Sequence, residues 1–179
     1  MTYFTADLHF GHANIIKHCN RPFATAEEMD EALIANWNNT VTVRDEVYIL
    51  GDLTMLPALK AHEYLTRLNG RKYFIRGNHD KFLKGFEQYE SDFDWIKDYF
   101  VLRTNTHRLV LFHFPIIEWD QYYRGAIHLY GHVHNSATSA ALLQGLKGLA
   151  FNVGVDVNEF KPVSITEIIK RSEMVIHQV

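Results

Sequence analysis

The chain has 179 residues, 47% of them hydrophobic and 22% charged, the balance of an ordinary globular protein. Its net charge of -3 gives no global attraction to nucleic acid or an anionic membrane, and no apolar stretch approaches the ~20 residues that cross a bilayer. A single cysteine, Cys19, excludes an internal disulfide and fits a reducing compartment, so a cytoplasmic location is expected.

Length implies one domain over residues 1–179, with roughly 70% of the unfolded surface buried. The strand-like run Thr2–Thr5 has no basic segment before it, so no signal peptide is expected. A turn and short helix follow around Ala13–Cys19, then a loop at Arg21-Pro22-Phe23. Thr25 and Glu28 form a capping-box pair, and the helix they open carries Met29, Leu33, Ile34 and Trp37 at helical spacing. Val47–Leu50 is a continuous apolar run, the mark of a strand covered on both faces. A helix from about Pro57 to Asn69 starts with proline and stops before Gly70. Tyr73–Ile75 is the next strand, and Lys81–Asp98 reads as a short helix and loops. Tyr99–Arg103 and Arg108–Phe112 pair as a hairpin. Ile127–Tyr130 and Phe151–Val157 are further strands, with Val163–Ile165 and Met174–His177 closing a second sheet. Interleaved strands and helices make the fold class α/β.

Five strands end in metal-type residues. Asp7-Leu8-His9, Gly51-Asp52, Gly77-Asn78-His79-Asp80, Phe112-His113 and Gly131-His132-Val133-His134 each follow a strand, where open α/β sheets place ligands. In an extended segment residues two apart share a side, so Asp7 and His9 can hold one ion. Asp52, directly after four apolar residues, is costly to bury unless paired or metal-bound. Gly77 allows a sharp turn that presents Asn78, His79 and Asp80 together. Taken singly, each phrase also reads as a polar turn or a packed histidine. Five in succession, each behind a strand, point to a metal centre. Imidazole mixed with carboxylate suits manganese, iron, zinc, cobalt or nickel better than magnesium or calcium.

These five phrases, in this order over about Thr2 to Val157, resemble the calcineurin-like metallophosphoesterases. Phe4 to Ile16 with Asn20-Arg21-Pro22-Phe23 is similar to their small prokaryotic and phage members. The resemblance implies a four-layer α-β-β-α sandwich with two central mixed sheets and a site at one edge. It implies two divalent transition-metal ions, manganese foremost. One would take Asp7, His9, Asp52 and His134, and the other Asp52, Asn78, His113 and His132. His79 is left facing the substrate as proton donor, with Asp80 supporting it or stabilising the turn. Two ions ~3.5–4 Å apart clamp a phosphoryl group and supply a hydroxide for in-line attack. Met55 stands where purple acid phosphatases carry a tyrosine ligand, and Leu53-Thr54-Met55-Leu56 departs from the protein Ser/Thr phosphatase pattern. The expected single domain leaves no room for the capping domain of the large repair nucleases.

The expected activity is phosphodiester hydrolysis on a small, nucleotide-like ester. The rivals are a phosphomonoesterase and, from another class, a non-catalytic scaffold on the same fold. His12 and Arg21 are candidate substrate contacts, since an Arg fork suits phosphate oxygens. Asn152 is expected to support the site from behind, and Cys19 to be inert. Trp119, Tyr122, Tyr123 and Arg124 could stack a base, although packing or a subunit contact is the simpler reading.

Overall fold

The computed structural model describes residues 1–143 and 148–176. Its strands are β1 (Thr2–Thr5), β2 (Glu46–Leu50), β3 (Arg71–Ile75), β4 (Trp95–Lys97), β5 (Tyr99–Arg103), β6 (Arg108–Phe112), β7 (Ile127–Tyr130), β8 (Ala150–Asn152) and β9 (Val163–Ser164). Its α-helices are α1 (Ala13–His18), α2 (Ala26–Thr40), α3 (Ala58–Leu65), α4 (Ala137–Leu143) and α5 (Ile165–Ile176). One sheet runs β4-β3-β2-β1-β9, the other β5-β6-β7-β8. Strands β1 to β4 are parallel with β9 antiparallel at the edge. In the second sheet β6, β7 and β8 are parallel and β5 is antiparallel.

Alternation along β2 builds two cores from one strand. Val47 and Ile49 face the helices, where they meet Met29, Leu33 and Trp37 of α2 and Ala61 and Leu65 of α3. Tyr48 and Leu50 face the second sheet and pack with Leu109, Leu111, Ile127 and Leu129. The fold is thus the expected α/β sandwich with two central mixed sheets. Its fourth layer is thin: Trp119 and Ala126 cover Val110. Trp119 is a core residue whose indole N–H donates to the Ala126 carbonyl at 2.8 Å. No helix among the described residues is long and apolar enough to cross a membrane.

Local chemistry explains most boundaries. The Glu28 amide donates to Thr25 Oγ1 at 3.2 Å, the capping box expected of α2, while the Glu28 carboxylate receives the Ala24 amide at 2.7 Å. Helix α3 stops at Leu65, short of the expected Asn69, because Arg67 and Leu68 donate to carbonyls three residues back and tighten the chain. Within Lys81–Asp98 the chain makes two 3-10 turns and the unexpected edge strand β4.

Three expectations fail. The strand after Ala150 ends at Asn152, since Asn152 Oδ1 takes the Gly154 amide at 2.8 Å and Val155–Val157 closes as a 3-10 turn. Met174–Ile176 belongs to α5 rather than a strand, while His177 lies outside the described residues. The signal was Ser164-Ile165-Thr166-Glu167, a helix-start pattern in which the Glu167 amide donates to Ser164 Oγ at 3.1 Å. Val163 and Ser164 pair with β1, in the first sheet and not the second.

Candidate metal centre

The carboxyl ends of β1, β2, β3, β6 and β7 come together and bring five sequence phrases to one place. Asp7 donates its amide to Gly51 at 3.0 Å and His9 donates to Asp52 at 3.0 Å, so the first two phrases run side by side past their strands. Asp7, His9 and His134 each offer a ligand atom within 4.8 Å of the others, as do Asp7, Asp52 and His113. Asp52 Oδ2 lies 3.5 Å from His9 Nε2 and 3.6 Å from His113 Nε2. Asn78 Oδ1 lies 2.9 Å from both His113 Nε2 and His132 Nδ1.

Asp7 and His9 do not converge by extended-strand alternation. Both have left-handed backbone, with φ of 59° and 53°, as do Asp52 (56°), His132 (70°) and His134 (47°). Such conformations cost on the order of 1–3 kcal/mol each and persist where surrounding structure enforces them. His132 and His134 also part company: the His132 amide donates to the Asp7 carboxylate at 2.9 Å, while His134 Nδ1 turns to Asp156 at 2.8 Å. Four glycines make room: a Cβ at Gly77 would lie 2.3 Å from Asp52 Oδ1, one at Gly51 2.6 Å from His113 Nδ1, and one at Gly131 or Gly154 2.7 Å from Asp7 Oδ2.

These donors fit divalent ions. Both ring nitrogens of His9 are buried without a hydrogen-bond partner, a costly state for polar atoms unless a ligand takes them. His113 Nδ1–H donates to the Leu50 carbonyl at 2.7 Å, which leaves the Nε2 lone pair facing Asn78 Oδ1 and Asp52 Oδ2. Asp7 and Asp52 are buried, and among the described residues no Lys or Arg lies within 4.0 Å of either carboxylate. Burial and the neighbouring Asp52 charge push the Asp7 carboxyl up to about 7 despite the opposing charge of His134. Burial and nearby cations take His9 down to about 2, and burial also lowers His113 and His132.

His79 stands at the rim, half-buried, with its ring 5.7 Å from that of His9 and its amide donating to Asp52 Oδ1 at 2.8 Å. Asp80, expected either to support His79 or to stabilise the turn, is buried and clamps the turn. Its Oδ2 accepts the amides of Asp52 (2.9 Å) and Gly77 (2.6 Å), and its Oδ1 that of Leu53 (2.8 Å). It locks the second and third phrases together and is a positioning residue. Burial and the Asp52 charge still hold its carboxyl up at about 7 against those three donors.

Of the two candidate substrate contacts, His12 is half-buried beside His9, their rings 5.5 Å apart. Arg21 does not reach a substrate position. Its side chain is 0% exposed and every edge is occupied. Its Nη atoms donate to the carbonyls of Asp7 (2.7 Å) and Leu8 (3.0 Å), and its fork grips Asp156 at 2.7 and 2.8 Å. Asp156 is the residue that sequence reasoning passed over. Burial pushes its carboxyl up, but His134 and Arg21 outweigh this and hold it below the usual range. In turn burial pulls His134 down while Asp156, Cys19 and Asp7 carry it up to about 10. An acid inside the apolar run Phe151–Val157 was the available signal. Cys19 is also closer than expected, its sulfur within 4.8 Å of ligand atoms of His134 and Asp156. Asn152, expected to lie behind the site, donates to the His134 carbonyl at 3.0 Å.

No family model matches the chain. A protein of unknown function from Aquifex aeolicus, AQ665, shares its fold with TM-score 0.76 and 28% identity, over 95% of this chain and 98% of that one. A looser overlap is with YfcE, a phosphoesterase from E. coli, at TM-score 0.39 and 18% identity over 86% of this chain and 77% of the other. The uncharacterized protein MJ1445 of Methanocaldococcus jannaschii is 42% identical over 173 residues, 96% of this chain and 90% of its own length. The chain belongs to the same family as MJ1445.

Proposed function

We propose that the chain is a dinuclear-metal-dependent phosphodiesterase of the calcineurin-like type. The observation that carries this is the convergence of Asp7, His9, Asp52, Asn78, His113, His132 and His134, with the His9 nitrogens buried and unpartnered at its centre. Asp7, His9, Asp52 and His134 would hold one ion and Asp52, Asn78, His113 and His132 the other, Asp52 being shared. When bound, such ions supply Lewis acidity and an activated water to a phosphoryl group; manganese is the first choice, with iron, zinc, nickel or cobalt as alternatives.

The protein's own contribution is placement. Asp80 fixes the Asp52 loop against the Gly77 turn, and Asp156 fixes the His134 ring. His79, partly open to solvent at the rim, gives a proton to the departing alkoxide, a step typically worth ~10²–10⁴-fold. Asn78 is exposed and His79, His132 and His134 are half-buried, so the site is open to a substituted phosphate, and this favours a diester. A small nucleotide-like ester is the substrate class proposed. Buried, unbridged Cys19 fits a reducing cytoplasm.

The test compares turnover of bis-p-nitrophenyl phosphate and p-nitrophenyl phosphate with Mn²⁺. Faster diester turnover is expected. Preference for the monoester would make this a phosphomonoesterase, and no hydrolysis with any divalent ion would leave the scaffold reading.

A further inference from the structure

At the tip of the β5–β6 hairpin lies a groove of about 430 Å³ lined by Arg103, Arg108 and Arg124 with Thr104, Thr106 and His107. Strand β6 runs from this groove to the metal centre: Arg108 opens it and His113 follows its end. Five residues at ~3.3 Å each put roughly 17 Å between them. Gly125 and Ala126, also lining the groove, precede β7, whose far end carries His132. The groove is therefore at the amino edge of the second sheet and the metals' donors are at its carboxyl edge.

Three arginines in one groove are not a by-product of a basic chain, whose net charge is -3. Among the described residues Arg103 and Arg124 have no carboxylate within 4.0 Å, and Arg108 has only Asp120, at 4.0 Å. Neither Asp120 nor Glu118 lines the groove. A second hollow of about 300 Å³ adjoins it, sharing Gln121 and Arg124 and adding Tyr122 and Tyr123. Tyr123 is 84% exposed, and its ring stands 4.9 Å from that of Tyr122 at 86°, forming an aromatic corner. Glu118 and Trp119 also line that hollow, and Glu118 accepts the Tyr123 hydroxyl, so its acid is engaged by the tyrosine rather than by an arginine of the groove. Gln121 is held at φ 59°, a strained non-glycine position outside the metal centre, and such strain concentrates at ligand sites.

We propose that these adjoining hollows form a second binding site, for a nucleoside di- or triphosphate. The phosphates lie among Arg103, Arg108 and Arg124, and the base lies against Tyr123 and Tyr122. Guanidinium forks match phosphate oxygens, and any base can stack on tyrosine. Adjoining hollows of about 430 and 300 Å³ are of a size for one free nucleotide rather than a nucleic acid strand.

The test is calorimetry on the full chain in EDTA, so that metal-centre binding does not contribute. ATP, inorganic triphosphate and adenosine are titrated separately. ATP is expected to bind best. Arg103→Ala and Arg124→Ala should each weaken ATP and triphosphate about tenfold, and Tyr123→Ala should weaken ATP about tenfold while leaving triphosphate unchanged. All three variants should keep the wild-type melting temperature and metal-dependent turnover. No ATP binding at millimolar concentration, or affinity unmoved by both arginine changes, would overturn the site. Equal ATP affinity in Tyr123→Ala and wild type would overturn its assignment to a nucleotide. So would retention of a single-stranded oligonucleotide without binding of free ATP.

Discussion

His134 Nδ1 meets Asp156 Oδ2 at 2.8 Å, and the same carboxylate oxygen is held from the other side by Arg21. The ring that would face a metal is thus oriented by a buried ion pair whose partners are both 0% exposed.

Removing that partner should have two separable effects. Asp156→Asn keeps an acceptor for His134 but loses the charge, and should lower divalent-metal affinity about 10–100-fold, as expected for the carboxylate behind a ligating histidine. Asp156→Ala strands the Arg21 guanidinium in the interior and should cost about 3–5 kcal/mol of stability. Calorimetric metal titration and urea unfolding read the two effects. Unchanged metal affinity in Asp156→Asn would show that the ring is held by other means.

Metal uptake should release protons, and the number should depend on pH. With no ion bound, Asp7 titrates at about 7 and His134 at about 10, both raised, whereas His9, lowered to about 2, is already neutral. At pH 6 a metal displaces a proton from both Asp7 and His134, roughly two in all; at pH 8 only His134 has one to give, roughly one. Affinity should therefore climb as pH rises through 7. Metal titrations in two buffers of different ionisation heat measure the count, and a pH-independent count would contradict these raised values.

His79→Ala should keep metal content and melting temperature but lower turnover about 10²–10⁴-fold for esters with alkoxide leaving groups. The loss should be smaller for p-nitrophenyl esters, which leave without a proton. An equal loss for both, or none, would remove His79 from proton transfer.

Asp80→Ala leaves the amides of Asp52, Leu53 and Gly77 without their acceptor, at about 1–3 kcal/mol for each buried group left unsatisfied. A clear fall in melting temperature is expected, and Asp80→Asn should recover part of it. A stable Asp80→Ala protein with normal metal content and lost turnover would instead return Asp80 to the chemistry.

The strands were readable because burial on two faces writes a continuous apolar run, as in Val47–Leu50, and the α2 stripe because helical burial writes a 3.6-residue period. The candidate donors were readable because each closes such a run. Arg21 and Asp156 were not. The first read as a loop arginine free to contact substrate and the second as part of a strand, and only the fold brings them together across 135 positions. Helix α5 was not legible from its end, where Val175 and Ile176 are β-branched, while its start signal, Ser164–Glu167, lies about ten residues earlier. Strand β4 escaped because three edge residues carry too little alternation to stand out.

The His132 amide and the Asp7 carboxylate are 125 positions apart in the chain. The proposed ligand set runs from Asp7 to His134, on loops that follow strands of both sheets, so an ion would find its full complement only after both sheets have closed. Metal would then act late in folding: it would slow unfolding and raise the melting temperature with concentration by mass action, while leaving the early, local steps of folding at their metal-free rates.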